Sequence, residues 1–273
     1  MNVIGIDAGG TLTKIVYEEK GRRHFKTFYS DDHIEIQKCL KFLAPNHFLY
    51  LTGGKAENWR KSFPRAHIVD EFQAVYKGTE MLLKKERQEL KQYILINIGT
   101  GTSFFRVDEK GCERLLGSGL GGGTILGLGS ILTGLSDYFN LVSLSTKGKR
   151  EKVDLLVGDI YEKGDSPIPD HLTASNFGKG TMSLEKADLM RALTNMIAET
   201  IILLASHAAK QYQMNTFVFV GSALEANTAF KEDLTQFQDM LSYTAVFPDM
   251  GSYAGSLGAY QIGMEGQDSQ NRQ

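Results

Sequence analysis

Val3, Ile4 and Ile6 lead up to Asp7, and Ile15, Val16 and Tyr17 follow a glycine-rich polar break, so the first residues predict strand, turn and strand, a β-hairpin. RRHFKTFYS at 22–30 supplies a third strand, and IEIQKCLKFL at 34–43 carries apolar residues at helical spacing before a break at Pro45. HFLYLTGG returns to a strand that Gly53 and Gly54 end. EFQAVYKGTEMLLKKERQEL at 71–90 reads as a helix whose charged C-terminal half faces solvent.

A second cycle opens at Tyr93. YILINIGTGTSFFRVDEKGCERLLG repeats apolar strand, glycine-threonine turn, strand, charged turn and strand in the same order. GSGLGGGTILGLGSILTGLS at 117–136 follows, helical from Ile125 despite its glycines. STKGKREK at 145–152 is a polar turn, VDLLVGDIY a short apolar segment and KGDSPIPDHLTASNFGKG a long loop. A helix follows with Ser183 as N-cap and Glu185 near the capping-box position, and its apolar density from Met196 to Ala209 predicts burial in a core, with a subunit interface as the other use of the same side chains. TFVFVGSALEAN is again strand and glycine turn, YTAVFPDMGSYAGSLGAYQIG a strand and a small-residue helix, and EGQDSQNRQ a frayed tail. The expected division is one lobe at 1–92, a second at 93–264 and a tail at 265–273.

Composition narrows the classes. The chain has 273 residues, enough to bury a core without disulfides or structural metal, and 30 basic against 32 acidic side chains give a charge of -2, which offers no bulk field for nucleic acid or an anionic bilayer. Cys39 and Cys112 form no CxxC, the opening apolar stretch is cut by Asp7 too early for a signal peptide, and no run reaches the 18 or more apolar residues of a membrane span, so a cytoplasmic protein is expected. The 29 glycines are an excess over the usual share of about 7%, and seven of them fall between 117 and 129.

Asp7, Ala8, Gly9, Gly10, Thr11, Leu12, Thr13 and Lys14 join a carboxylate, mobile backbone, two hydroxyls and a cation at the end of a strand. Backbone amides of such a turn cradle anionic oxygens, the lysine offsets their charge, and the aspartate suits Mg2+. Read alone, an ordinary glycine hairpin explains it equally well. The spacing is neither a P-loop nor a GxGxxG opening a helix. Asn97-Ile98-Gly99-Thr100-Gly101-Thr102-Ser103 repeats the arrangement after the second lobe's first strand. Two facing turns can grip a polyphosphate from both sides of a cleft. Val220-Gly221-Ser222-Ala223 is a third such turn, able to abut a base or ribose. For phosphoryl transfer, Glu71 at the start of a helix is the candidate base and Arg114 the candidate cation; capping for the first and a surface ion pair for the second are the bland alternatives. The six histidines, His24, His33, His47, His67, His171 and His207, show no ligand spacing.

DAGGTLTK, NIGTGTS, GSGLGGGTILGLG and VGS, in this order, resemble the actin, hexokinase and Hsp70 ATPase superfamily, and within it the bacterial type II pantothenate kinases. The resemblance runs along nearly the whole chain and takes in VDEF around Glu71, ERLLG around Arg114, DYF around Tyr138 and DHLTASNFGK at 170–179. It implies a two-lobed α/β fold, actin-like and ribonuclease H-like, with mixed sheets flanked by helices and an ATP cleft between the lobes. It also implies transfer of the γ-phosphoryl group of ATP, with Mg2+, to the primary hydroxyl of pantothenate; a homodimer is expected from the apolar 196–209 segment. By the same resemblance Asp7 to Lys14 form the first phosphate loop and Thr100 with Gly101 the second; Gly122, Gly123, Thr124, Ile125, Leu126, Tyr138 and Ser222 border the nucleotide, Glu71 is the base, and Arg114 binds substrate and steadies transferred charge. Two rivals stay open: a kinase for N-acetylhexosamine or another small molecule, and an ATP-bound sensor without catalysis.

Overall fold

The first strand of each cycle, VIGIDA and YILINI, is apolar at nearly every position, the pattern of a sheet covered on both faces. The computed structural model describes residues 3–43, 47–162, 165–180 and 185–270. The first cycle is β1 (Val3–Ala8), β2 (Leu12–Glu19), β3 (Arg22–Tyr29), α1 (His33–Leu43), β4 (Phe48–Thr52), α2 (Ala56–Ser62), β5 (His67–Ile68) and α3 (Glu71–Lys85). The second is β6 (Tyr93–Ile98), β7 (Thr102–Asp108), β8 (Gly111–Ser118), α4 (Gly122–Thr133), α5 (Tyr138–Ser145), β9 (Leu155–Leu156), β10 (Thr173–Ser175), α6 (Lys186–Tyr212), β11 (Thr216–Val220), α7 (Thr228–Thr235), α8 (Gln238–Leu241), β12 (Thr244–Val246) and α9 (Ala254–Gln270).

The two five-stranded sheets, ordered β3-β2-β1-β4-β5 and β12-β11-β6-β7-β8, share one plan. In each, an antiparallel three-strand meander is extended by two parallel strands, with β4 beside β1 and β11 beside β6. The repeat seen in the sequence is therefore a repeat of topology; β9 and β10 form a separate small hairpin.

Strand alternation sorts the side chains into three cores. Ile4, Ile6 and Ile15 point outward onto α1 and α2 with Leu40 and Trp59, while Ile94, Ile96, Phe217 and Phe219 point outward onto the helices of the second cycle. The inward positions Val3 and Val16 of one sheet and Leu95, Phe105 and Val218 of the other meet α3 and α9, which lie together between the sheets. That pair packs backbone to backbone: a Cβ on Gly258 would stand 1.7 Å from the Ala74 carbonyl oxygen, and one on Gly78 1.8 Å from that of Ala254. Only glycine permits such an approach.

Several elements depart from the expectation. The helix α9 packs on α3, β1 and β4, so the second cycle hands its last helix back to the first sheet. It continues to Gln270, so residues 265–270, expected as frayed tail, are helical, and 271–273 lie outside the described residues. The helix expected from Ile125 begins one turn earlier, at Gly122. Pro45 and the expected N-cap Ser183 also lie outside the described residues; α6 starts at Lys186, and Glu185 at its N-cap position makes no side-chain capping bond. Among the described residues α6 is the one helix long and apolar enough to span a bilayer, but Ile197, Ile201 and Ile202 are fully buried in the second core, which marks it as a core helix.

Candidate functional site

Alternation along β1 and β2 decides which side chains reach the space between the sheets. Asp7 and Lys14 are directly paired across the two strands and face inward, in step with Val3 and Val16. Ala8 and Thr13 therefore face outward: Ala8 is fully buried, and Thr13 shares a 2.9 Å hydrogen bond with Ser30. Between the sheets lies a cavity of about 590 Å3, and both glycine turns open onto it, the first through Gly9, Gly10, Thr11 and Leu12, the second through Gly99, Thr100 and Gly101. Ser222 and the segment Gly251–Gly255 complete its wall.

Asp7 sits in a cradle that glycine alone allows. A Cβ on Gly53, whose φ is +87°, would fall 2.6 Å from one carboxylate oxygen, and a Cβ on Gly255 2.5 Å from the other. Burial, with the nearby charge of Glu71, pushes its pKa up to about 6, against a smaller opposing pull from Lys14. Glu71 is the first residue of α3, yet it does not cap the helix: Asp70 does, accepting from the Gln73 amide at 2.9 Å. Released from capping, Glu71 lies on the cavity wall, where partial burial and then Asp70 hold its pKa above the ordinary glutamate value of 4.5.

Arg114 reaches the same cavity from β8. The β7–β8 pairing slips by one residue, so that Phe104 faces Leu116 but Phe105 faces Arg114, with Leu115 as the extra residue of a bulge. In uninterrupted register Phe105 would face Leu115. The slip sets Arg114 on the inward face, its guanidinium 5.3 Å from the centroid of the Phe72 ring, which itself meets Phe105 at 5.3 Å. Glu71 and Arg114, 43 positions apart in sequence, thus converge with both glycine turns on one cavity.

The Fumble family model matches residues 3–261 of the chain. The chain belongs to the Fumble family. It is 42% identical to a type II pantothenate kinase of Oceanobacillus iheyensis over 95% of this chain and 98% of that protein, and 36% identical to one of Staphylococcus epidermidis over 95% and 99%. Among solved structures, the ADPNP-bound activator of a 2-hydroxyisocaproyl-CoA dehydratase from Clostridium difficile superposes with a TM-score of 0.70 at 16% identity, over 100% of this chain and 98% of that one. A glucokinase of the ROK family from Streptomyces griseus, solved with glucose and AMPPNP, gives 0.57 at 12%, over 96% and 99%. These two carry the fold, the two-sheet architecture of the actin and hexokinase ATPases. This Fumble-family chain is an ATP-dependent kinase.

In this kinase the segment after Leu120, which the sequence reading set at the nucleotide's border, is built around the second glycine turn. The amides of Gly122 and Gly123 donate to the carbonyls of Gly99 and Thr100, at 2.8 and 2.9 Å, so the first turn of α4 braces the second glycine turn. Gly122 lines a narrow slot beside the cavity together with Leu12, Tyr29, Tyr138, Phe139 and Ser222. Thr124 bonds the Gly119 carbonyl, Ile125 is fully buried in the second core and Leu126 packs on that core, so none of the three lines either space. Tyr138 donates to the Ala223 carbonyl at 2.7 Å, and burial pushes its pKa up to about 12. Sequence reasoning missed Ser252 and Gly255, although MGSYAG is a glycine and small-residue cluster after a strand, the signal that marked the other turns.

Proposed function

We propose that this kinase transfers the γ-phosphoryl group of ATP to the primary hydroxyl of pantothenate, giving 4'-phosphopantothenate and ADP. The observation that carries this reading is the convergence of two glycine turns, Asp7, Glu71 and Arg114 on one cavity, in a chain 42% identical to a type II pantothenate kinase. The turns at Gly9–Leu12 and Gly99–Gly101 would hold the phosphates from opposite sides, and the slot under Tyr138 lies where the nucleoside would continue.

Glu71 is the group suited to accept the acceptor's proton. Among the described residues it has no hydrogen bond or ion pair that would consume its lone pairs, and a pKa raised by burial makes it a better base than a free glutamate. Arg114, held over Phe72, presents the opposite charge to the transferring group. Phosphoryl transfer asks little covalent chemistry of a protein, so position and charge carry the catalysis.

Asp7 fits Mg2+. Its carboxylate is walled by glycines that leave the oxygens uncrowded, and no three His, Cys, Asp or Glu side chains gather as a cage among the described residues. One carboxylate completed by nucleotide phosphate and water is the set this hard cation takes, and bound there it would neutralise charge on the phosphates. Leu203 on α6 and Ile131 on α4 are 61% and 80% exposed, an apolar surface consistent with pairing of two copies. The deciding experiment is ADP release measured with pantothenate, N-acetylglucosamine, glucose and no acceptor. Pantothenate-dependent release is expected; release with a sugar alone would overturn the acceptor, and no release in any arm would leave a nucleotide sensor.

A further inference from the structure

Lys14 is held in an unusual way for a lysine that lines a ligand cavity. It is 2% exposed, and its Nζ donates to Glu225 Oε2 at 2.8 Å and to the Ser252 carbonyl at 3.0 Å, 5.2 Å from the centroid of the Tyr253 ring. Lys14, Glu225 and Ser252 come from three different parts of the chain. Lys14 belongs to β2 of the first sheet, Glu225 follows the short 3-10 turn Ser222–Leu224 after β11 of the second, and Ser252 leads into α9. Lysine is ordinarily a mobile point charge on a four-carbon stem, and here its freedom has been removed by a carboxylate from the opposite lobe.

An ammonium has three N–H donors in tetrahedral array. Two are used, and Lys14 still lines the cavity beside Gly9 and Gly10. We infer that Glu225 is a positioning residue for nucleotide phosphate: it pins Lys14 across the lobe boundary so that the third N–H is offered to a phosphoryl oxygen. The Glu225 amide donates to the Ser222 carbonyl at 3.2 Å, Glu225 is not among the residues that line the cavity, and its carboxylate acts through Lys14. The inference rests on the reading of the cavity as a phosphate site, and it concerns binding of the phosphates, whatever the acceptor.

The ion pair alone would predict only a loss of stability, so the test reads ligand affinity. Glu225→Gln keeps size and an accepting oxygen but removes the charge; it is expected to weaken binding of the non-hydrolysable analogue AMPPNP by about tenfold, the scale of one charge-assisted hydrogen bond. Binding of adenosine, which lacks phosphates, should be unchanged. Lys14→Met should produce a similar loss, and adding Glu225→Gln to it should cost nothing further, whereas independent effects would multiply. Glu225→Asp, one methylene shorter with its charge kept, should recover most of the affinity. Thermal melts of each variant establish that it is folded. Wild-type AMPPNP affinity in Glu225→Gln, an equal loss for adenosine, or multiplicative effects with Lys14→Met would overturn the inference. Absence of pantothenate-dependent turnover in the wild type would instead overturn the proposed acceptor and leave these binding results standing.

Discussion

Glu71 and Asp7 show how two carboxylates in one cavity are set to different tasks by their surroundings. Glu71 has solvent on one side and Asp70 beside it; Asp7 is enclosed by the backbone around Gly53 and Gly255. Replacing Glu71 with Gln should lower kcat by about 10²- to 10⁴-fold, the usual contribution of a general base, with nucleotide affinity little changed. Near-normal turnover of a folded Glu71→Gln protein would remove the assignment. In the wild type, kcat/KM should fall with acidity on a limb centred above 4.5, because the raised pKa lets Glu71 protonate sooner than a free glutamate. Asp7 bears on stability with a definite sign. Its pKa rises from 3.8 to about 6 on folding, so between those values the native state binds more protons than the unfolded chain, and stability is lost as pH climbs through that window. Asp7→Asn should therefore stabilise the nucleotide-free protein at pH 7.5 by about 1–3 kcal/mol, a gain that vanishes below pH 4. Melting curves at the two pH values check it. Of these residue properties, Asp7 and Glu71 were legible in the sequence as carboxylates next to glycine turns or at an element's end. Their surroundings were not, since Gly53 and Gly255 reach Asp7 from distant stretches of chain.

Strand and turn patterns exposed most elements, because an apolar run broken by glycine reads the same wherever it sits. Short helices with weak periodicity carry little signal: α2 and α5, of seven and eight residues, correspond to no element expected from the sequence. The bulge at Leu115 was also invisible, for an extra residue leaves the composition of LLG unaltered and shows only in pairing. Yet it aims Arg114. Partnership of helices was the larger gap. The small residues of α9 predict a helix but do not say which sheet it covers, and the answer lies in Gly258 against Ala74 and Gly78 against Ala254. Gly258→Ala should be severe although alanine favours helix by about 1 kcal/mol. Its methyl would enter the Ala74 carbonyl, parting α9 from α3 and displacing Glu71 and Gly255 at their first turns, so both melting temperature and turnover should drop. Unchanged values would mean that the helices separate without cost to the site.

At the scale of the whole molecule, the cavity belongs to neither sheet. Its walls come from turns at equivalent ends of two copies of one topology, and from the first turns of α3 and α9 between them. Side chains link its two sides: Lys14 meets Glu225 at 2.8 Å, and the Tyr29 hydroxyl donates to Asp137 at 2.9 Å beside the slot. The middle layer has a further consequence for how the molecule opens. Since α3 and α9 complete the cores of both sheets, neither lobe can unfold and leave the other intact. Backbone amides in the two helices should exchange with deuterium only through global opening, with protection equal to the full unfolding free energy and shared by β1 and β6 on either side. Faster exchange confined to one sheet would reveal two independent units; a single slowest class would show a duplicated fold that melts as one.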